Sequence, residues 1–220
     1  MIIEGFARRF QALRTGKNQT EARFTHQESL AVGQVEPANF EMSRAGRRFW
    51  LGTSAGVTGI APVQAIPTTV AQWVIWNADP TAAYFLEELG MNLTSGTPGL
   101  GGTMWAALFQ TPVQLGANAA GMTVASMSNG GRASKAIVKS NITITQPTAP
   151  IWFPLDQSFD SIAAAAFSTG YGMTFARRDL AGALVIPPGQ GLGLAMMGPS
   201  GTTPLFAPFA RWVEQETDLE

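Results

Sequence analysis

The chain has no cysteine and one histidine, His26, among 220 residues. Without thiols there is no disulfide framework, no thiolate metal site and no cysteine nucleophile. A lone histidine in a polar segment builds neither a multi-histidine metal cage nor a serine–histidine triad within one chain, and His26 reads as a surface or packing residue. Charge is scarce too. Between Phe49 and Trp212 twelve of 164 residues are charged, six of each sign, which is about 7% against roughly 25% for ordinary soluble domains. No apolar run approaches the roughly 20 residues of a membrane span, so no membrane contact is expected. The start, Met1-Ile2-Ile3-Glu4-Gly5-Phe6, lacks the basic-then-apolar layout of a secretory signal, and Glu4 and Glu21 count against a transit peptide.

What charge there is divides the chain. Residues 1–48 hold eight basic side chains, Arg8, Arg9, Arg14, Lys17, Arg23, Arg44, Arg47 and Arg48, against five glutamates. Glu214, Glu216, Asp218 and Glu220 make residues 214–220 an acidic tail. The interleaved acids leave no dense basic run, which argues against direct nucleic-acid binding. Phe6, Phe10 and Leu13 recur at helical spacing, with Arg8 and Arg9 elsewhere on the wheel, so a short amphipathic helix is expected there. Residues 15–48 are polar, with alternation only over Ser29–Val35, and cannot bury enough apolar surface to fold alone. Residues 1–48 therefore read as an extended N-terminal arm ordered by other chains.

From residue 49 short apolar runs alternate with Gly, Pro, Asn and Ser, the pattern of an all-β sandwich over 49–213. The expected strands are Ala71–Asn77, Ala83–Leu93, Thr103–Gln110, Met122–Met127, Ala136–Thr145, Ile151–Leu155, Met173–Arg178, Ala183–Ile186, Gly191–Met197 and Leu205–Val213. In Ala136–Ile144 the period of two sets Ala136, Val138, Ile142 and Ile144 on one face and Lys139, Asn141 and Thr143 on a wet one. Trp73-Val74-Ile75-Trp76 is apolar on both faces, so one tryptophan is expected in the core and the other against a second sheet or another subunit. Asn129-Gly130 suits a type I′ hairpin, and Ser158–Phe167, capped and alanine-rich, predicts a short helix. There is no βα alternation and no internal repeat, which leaves a jelly-roll-like β-sandwich.

Few residues carry chemistry. Glu87 and Glu88 are adjacent, which on a regular strand sends them to opposite faces and prevents a cooperating carboxylate pair. Asp79 precedes Pro80 and reads as a turn residue, and Asp156 and Asp160 read as caps of the expected helix; no dense Asp/Asn loop supports a calcium site. Gly96–Gly102 and Gly189–Gly193 lack the lysine and helix of a phosphate loop, so they read as turns. Arg177-Arg178 and Arg44 with Arg47-Arg48 are the densest basic groups, and Trp50, Trp105, Trp152 and Trp212 are candidate sugar-stacking or anchor residues. No catalytic residue, metal ligand or cofactor is expected, and the chain reads as non-enzymatic.

One resemblance adds to this. Leu184-Val185-Ile186-Pro187-Pro188-Gly189-Gln190-Gly191-Leu192-Gly193-Leu194, followed by Gly201–Phe206, resembles the closing strands of jelly-roll virion structural proteins. Ala71–Asn77 and Glu87-Glu88-Leu89-Gly90 are similar to stretches of small structural proteins of tailed bacteriophages. The likeness spans about residues 60–213. It implies a capsid decoration or cement protein, commonly a homotrimer, assembled in the host cytoplasm and seated on the capsid exterior against the major capsid protein. On that reading Phe6, Phe10 and Leu13 anchor the arm, Arg8, Arg9, Arg44, Arg47 and Arg48 pair with acidic capsid surface, and Trp73 and Trp76 are subunit contacts. The alternative expectation is a receptor- or carbohydrate-binding head of a phage fibre.

Overall fold

The computed structural model describes residues 22–24, 30–32, 40–54, 57–97, 102–128, 131–158, 173–198 and 202–216. The chain divides into residues 1–41 and 42–220. In the first unit β1 (Ala22–Phe24) pairs antiparallel with β2 (Leu30–Val32), which lies inside the alternating Ser29–Val35 stretch. A short helix, α1 (Phe40–Arg44), spans the division. It ends in a Schellman closure: Gly46, at φ 67°, donates to the Ser43 carbonyl at 3.0 Å and Arg47 N to the Met42 carbonyl at 2.9 Å.

The second unit is a sandwich of ten strands: β3 (Arg48–Thr53), β4 (Val70–Asn77), β5 (Ala82–Thr97), β6 (Gly102–Phe109), β7 (Met122–Ser126), β8 (Ala136–Thr143), β9 (Phe153–Ser158), β10 (Met173–Ile186), β11 (Gly191–Met197) and β12 (Thr202–Glu216). The first sheet runs β10-β5-β12-β3-β7 and the second β8-β4-β11-β6-β9. The pairings nest: β3 with β12, β4 with β11, β5 with β10 and β6 with β9, all antiparallel. That is one long ribbon folded on itself. Rolling it adds two further contacts, β12 with β5 and β11 with β6, and so completes an eight-strand jelly roll. β7 and β8 are an insertion between β6 and β9 that widens each sheet by one strand, β7 beside β3 and β8 beside β4.

Between the sheets lie Phe49, Trp73, Ile75, Tyr84, Leu86, Leu89, Met91, Met104, Leu192, Leu194, Met196 and Trp212. Trp212 is the hub, with Phe49 at 6.2 Å and Tyr84 at 5.8 Å between ring centroids. A second cluster lies on the other side of β4, where Val74 and Trp76 meet Phe109, Val113, Ile137 and Ile144. Its cover is the chain itself, the segments 110–116 and 144–152, joined where Thr111 Oγ1 accepts from Thr145 N and Gln146 N at 2.7 and 2.9 Å.

Several expectations are corrected. Arg48–Thr53 is a strand that the sequence reading placed at a domain boundary. Met173–Arg178 and Ala183–Ile186 are one strand, β10, interrupted by a bulge in which Ala181 and Gly182 have φ 47° and 82°. β7 and β8 belong to different sheets, so no hairpin joins them, and Asn129 and Gly130 lie outside the described residues. The face of β8 opposite the core is not wholly wet: Ile137 is buried under the second cluster, and Asn141, at φ 55°, interrupts the alternation before Ile142. Ser158 ends β9, and the rest of the expected helix, to Phe167, lies outside the described residues.

One buried side chain ties the corner at which both sheets turn. Asn77 Nδ2 donates to the Ala82 and Ile186 carbonyls at 2.8 and 3.0 Å, while its Oδ1 accepts from Asp79 N at 2.9 Å. The adjoining Pro187-Pro188-Gly189-Gln190 is a type II turn, with Gly189 at φ 67° and Gln190 N bonded to the Pro187 carbonyl at 3.2 Å. Asn77→Leu keeps the branched heavy-atom skeleton but removes the side-chain partners of two carbonyls and an N–H. The expected loss is about 2–4 kcal/mol, read as a lower denaturant midpoint at unchanged m-value; a loss below about 1 kcal/mol would contradict the pinning role.

Candidate functional site

The two outer faces of the sandwich differ in charge. The first sheet carries Arg48, Glu87, Glu88, Arg177, Arg178, Asp179, Arg211, Glu214 and Glu216 on its strands. The second carries only Lys139 and Asp156. The segments running over or beside the second sheet, 57–69, 110–121 and 144–152, hold no charged residue at all.

On the first sheet Glu87, Glu88, Glu214 and Glu216 are held by arginines of the same chain, while Asp179 accepts from Ala181 N at 3.1 Å. Leu86 and Leu89 both point into the core because Glu87 is an extra residue: Arg211 pairs with Glu88 and the next residue, Trp212, with Leu86. This β-bulge cancels the alternation, so Glu87 and Glu88 do not part to opposite faces as expected. Both meet outward-facing arginines. Arg48 Nε donates to Glu87 Oε2 at 2.7 Å, and Glu88, almost fully buried, is clasped by Arg177 and Arg211. Neither glutamate is solvated, and no second subunit is needed to neutralise them. Arg47 pairs with Glu216 at 3.2 Å. Of the residues expected to contact a capsid, Arg47 and Arg48 are thus engaged within the chain, and Arg44 ends α1 on the surface. Phe6, Arg8, Arg9, Phe10 and Leu13 lie outside the described residues, as does His26. Trp73 and Trp76, read as subunit contacts, are buried in the two clusters and offer a partner no surface.

The remaining acids serve the fold. Asp79 accepts from Thr81 N, Thr81 Oγ1 and Ala82 N, with Lys135 at 3.3 Å from its other oxygen. Burial would raise its pKa, yet these donors outweigh that and hold it below the ordinary aspartate value. Asp156 is on a strand rather than at a helix cap, and accepts from Arg177 N at 2.8 Å, closing the seam between β9 and β10. Glu214, expected in the acidic tail, is buried in β12, bound by Arg132 Nη2 at 2.8 Å, Ser134 Oγ and Trp212 Nε1 at 3.3 Å. Burial raises its pKa above the ordinary glutamate value, and those three donors only reduce the shift. The same burial, with the Glu214 charge, pushes the Tyr84 hydroxyl up. Among the described residues no three His, Cys, Asp or Glu side chains converge as a metal site.

The second face is where apolar surface is left open. Ile151 is 80% exposed, Leu115 71%, Ile66 52% and Val70 47%. Three of them lie along one seam: Trp152 Nε1 donates to the Thr68 carbonyl at 3.0 Å, Ile144 N to the Thr69 carbonyl, and Val70 pairs with Thr143. The tryptophans divide differently from their expected common role. Trp212 is core and Trp152 is a half-buried strut, while Trp105 stands on β6 opposite Pro154. Trp50 alone among them is exposed, on the charged face. No composition signal marks Ile66 or Ile151 in advance; the signal available was the uncharged run from 57 to 77.

No protein-family model, curated protein or solved structure matches this chain. Its faces therefore have to be read on their own chemistry. One consequence concerns pH. Because the folded pKa of Glu214 lies above the unfolded one, the folded chain binds more protons between the two values and stability falls as pH rises through that window. Acidification from about pH 8 to about pH 5 should raise the Tm of the wild type relative to Glu214→Gln; parallel Tm profiles would contradict the assignment.

Proposed function

We propose that this chain is a virion structural protein, a capsid decoration or cement protein that adheres to the shell lattice as a homo-oligomer, most simply a trimer. The observation that carries the reading is the charge-poor second face, with only Lys139 and Asp156 on its strands and Ile66, Val70, Leu115 and Ile151 open on it. Charged side chains are depleted at the cores of protein interfaces, and open apolar residues gain free energy when covered. Every buried acid described is engaged by donors of the same chain, which suits a structural role better than a catalytic one.

On this reading the charge-poor face meets neighbouring subunits or the major capsid protein, while residues 1–41, with Phe6, Arg8, Arg9, Phe10 and Leu13, form the reaching arm. The compact unit of the sandwich starts at Met42 and takes in residues 42–48, since Glu214 N bonds to the Arg47 carbonyl and Met127 N to the Arg48 carbonyl at 2.8 Å each. A lattice of many copies sums modest contacts into a large total.

The test places a carboxylate on the open seam of the full chain. Ile66→Asp and Ile151→Asp should each weaken association by at least about 2 kcal/mol, roughly thirtyfold, in light scattering behind size exclusion. Tm should stay within about 2 °C, because both side chains are exposed in the subunit. Recovery of the chain from purified particles at a stoichiometry comparable to the shell protein would support the virion assignment. Unchanged association in both variants, or recovery of the chain only outside particles, would overturn it.

A further inference from the structure

The charged face holds an aromatic floor that the assembly reading does not use. Trp50 on β3 faces outward opposite Arg211 of β12, and Leu51 pairs with Ala210, so Gly52 and Phe209 come next on the two strands. The Trp50 ring lies across Gly52, where any Cβ would collide with it. The Phe209 ring lies in the same way across Gly90 of β5, with which it is paired. Two glycines on an outward face thus let two rings lie along the sheet surface, one strand after the next. Packing over the glycines occupies one face of each ring. Trp50 nevertheless keeps 41% of its surface in solvent.

Beside this floor stand fixed donors. Arg211 adjoins Trp50 across the strand pair, and Arg177 is paired with Gly90, under the Phe209 ring. Both guanidinium groups are oriented by Glu88, whose carboxylate is buried at the bulge. Each guanidinium has five N–H donors, and the contact to Glu88 leaves others directed at solvent, the Arg177 side chain being the more open of the two. Glu88 stands on this face with Gly90 by the regular alternation about core-facing Leu89, in register with Arg211, and the bulge adds Glu87 to the same face.

We infer that this surface is a saccharide site, taking a pyranose with its C–H face on the Trp50–Phe209 floor and its hydroxyl or carboxylate oxygens on the N–H groups of Arg211 and Arg177. The apolar side of a sugar ring is flat and about the size of an indole, and its equatorial oxygens project from the rim where the arginines stand. Two arginines, Arg177 and Arg211, share the single Glu88 carboxylate, so their remaining N–H groups favour a ligand that brings a carboxylate, an acidic saccharide over a neutral one. The site lies on the opposite sheet from the uncharged seam, so it stands or falls independently of the proposed assembly role.

The experiment uses the full chain on an array of immobilised neutral and acidic oligosaccharides, then titrates the strongest binder as a free oligosaccharide by tryptophan fluorescence. Saturable binding is expected, strongest among uronate- or sialate-bearing members. Trp50→Leu, which still covers Gly52 but removes the flat ring, should weaken it at least tenfold with the circular dichroism spectrum unchanged. Trp50→Phe should restore part of the loss, and Ile151→Asp, on the other face, should leave binding as it is. No saturable binding to any array member, or equal binding by Trp50→Leu, would overturn the site.

Discussion

The structure depends on the seating of β12 between β3 and β5. This strand pairs the last part of the sandwich with its first strand on one side and with the long β5 on the other. Removing it would leave β10-β5 and β3-β7 as separate two-stranded ribbons, and isolated ribbons of that kind are marginal in water. It also brings Trp212 between Phe49 and Tyr84 and carries Glu214 into the polar corner beneath them. These are long-range contacts, so the first sheet cannot close until both ends of the sandwich sequence are present.

From that closure follows the division of the surface. Insertion of β7 and β8 between β6 and β9 leaves connecting segments that pack over the second sheet, and these are the uncharged parts of the chain. Among the described residues the first sheet has no such cover over β5 and β12, and its exterior is made compatible with water by ion pairs between its strands. Such pairs on a surface contribute little stability singly. Around the almost fully buried Glu88 they matter more, because without its two arginines a buried charge would be left uncompensated. A single subunit therefore presents one face built for solvent or polar ligands and another whose open isoleucines gain by being covered.

The sandwich was legible in the sequence where burial follows the pleat. Gly191–Met197 and Ala71–Asn77 are largely apolar runs, buried except at Met197 and bounded by turn residues, and they appear within one residue of their expected ends. β3 was not legible, because its Phe49, Leu51 alternation is short and follows a basic, polar stretch. Bulges defeated the period of two at Glu87-Glu88 and across residues 180–183, since an inserted residue changes the face without changing composition. The charge-poor body was visible at once. That the scarcity belongs to one sheet required the strand order, which local pattern does not encode. The same holds for Trp50 over Gly52, where the ring takes the space a Cβ would fill and no motif announces it.

The central proposal is that the charge-poor second face is the surface this protein hides in its working state. Hydrogen–deuterium exchange of the full chain over a rising concentration series tests it most directly, because protection reports covered backbone without altering a residue. The account predicts that peptides spanning 57–70, 110–121 and 144–152 gain protection as subunits associate, while those of the outer first sheet around 85–92 and 173–179 do not. Protection confined to the first sheet, or none at any concentration with association demonstrated, would contradict it.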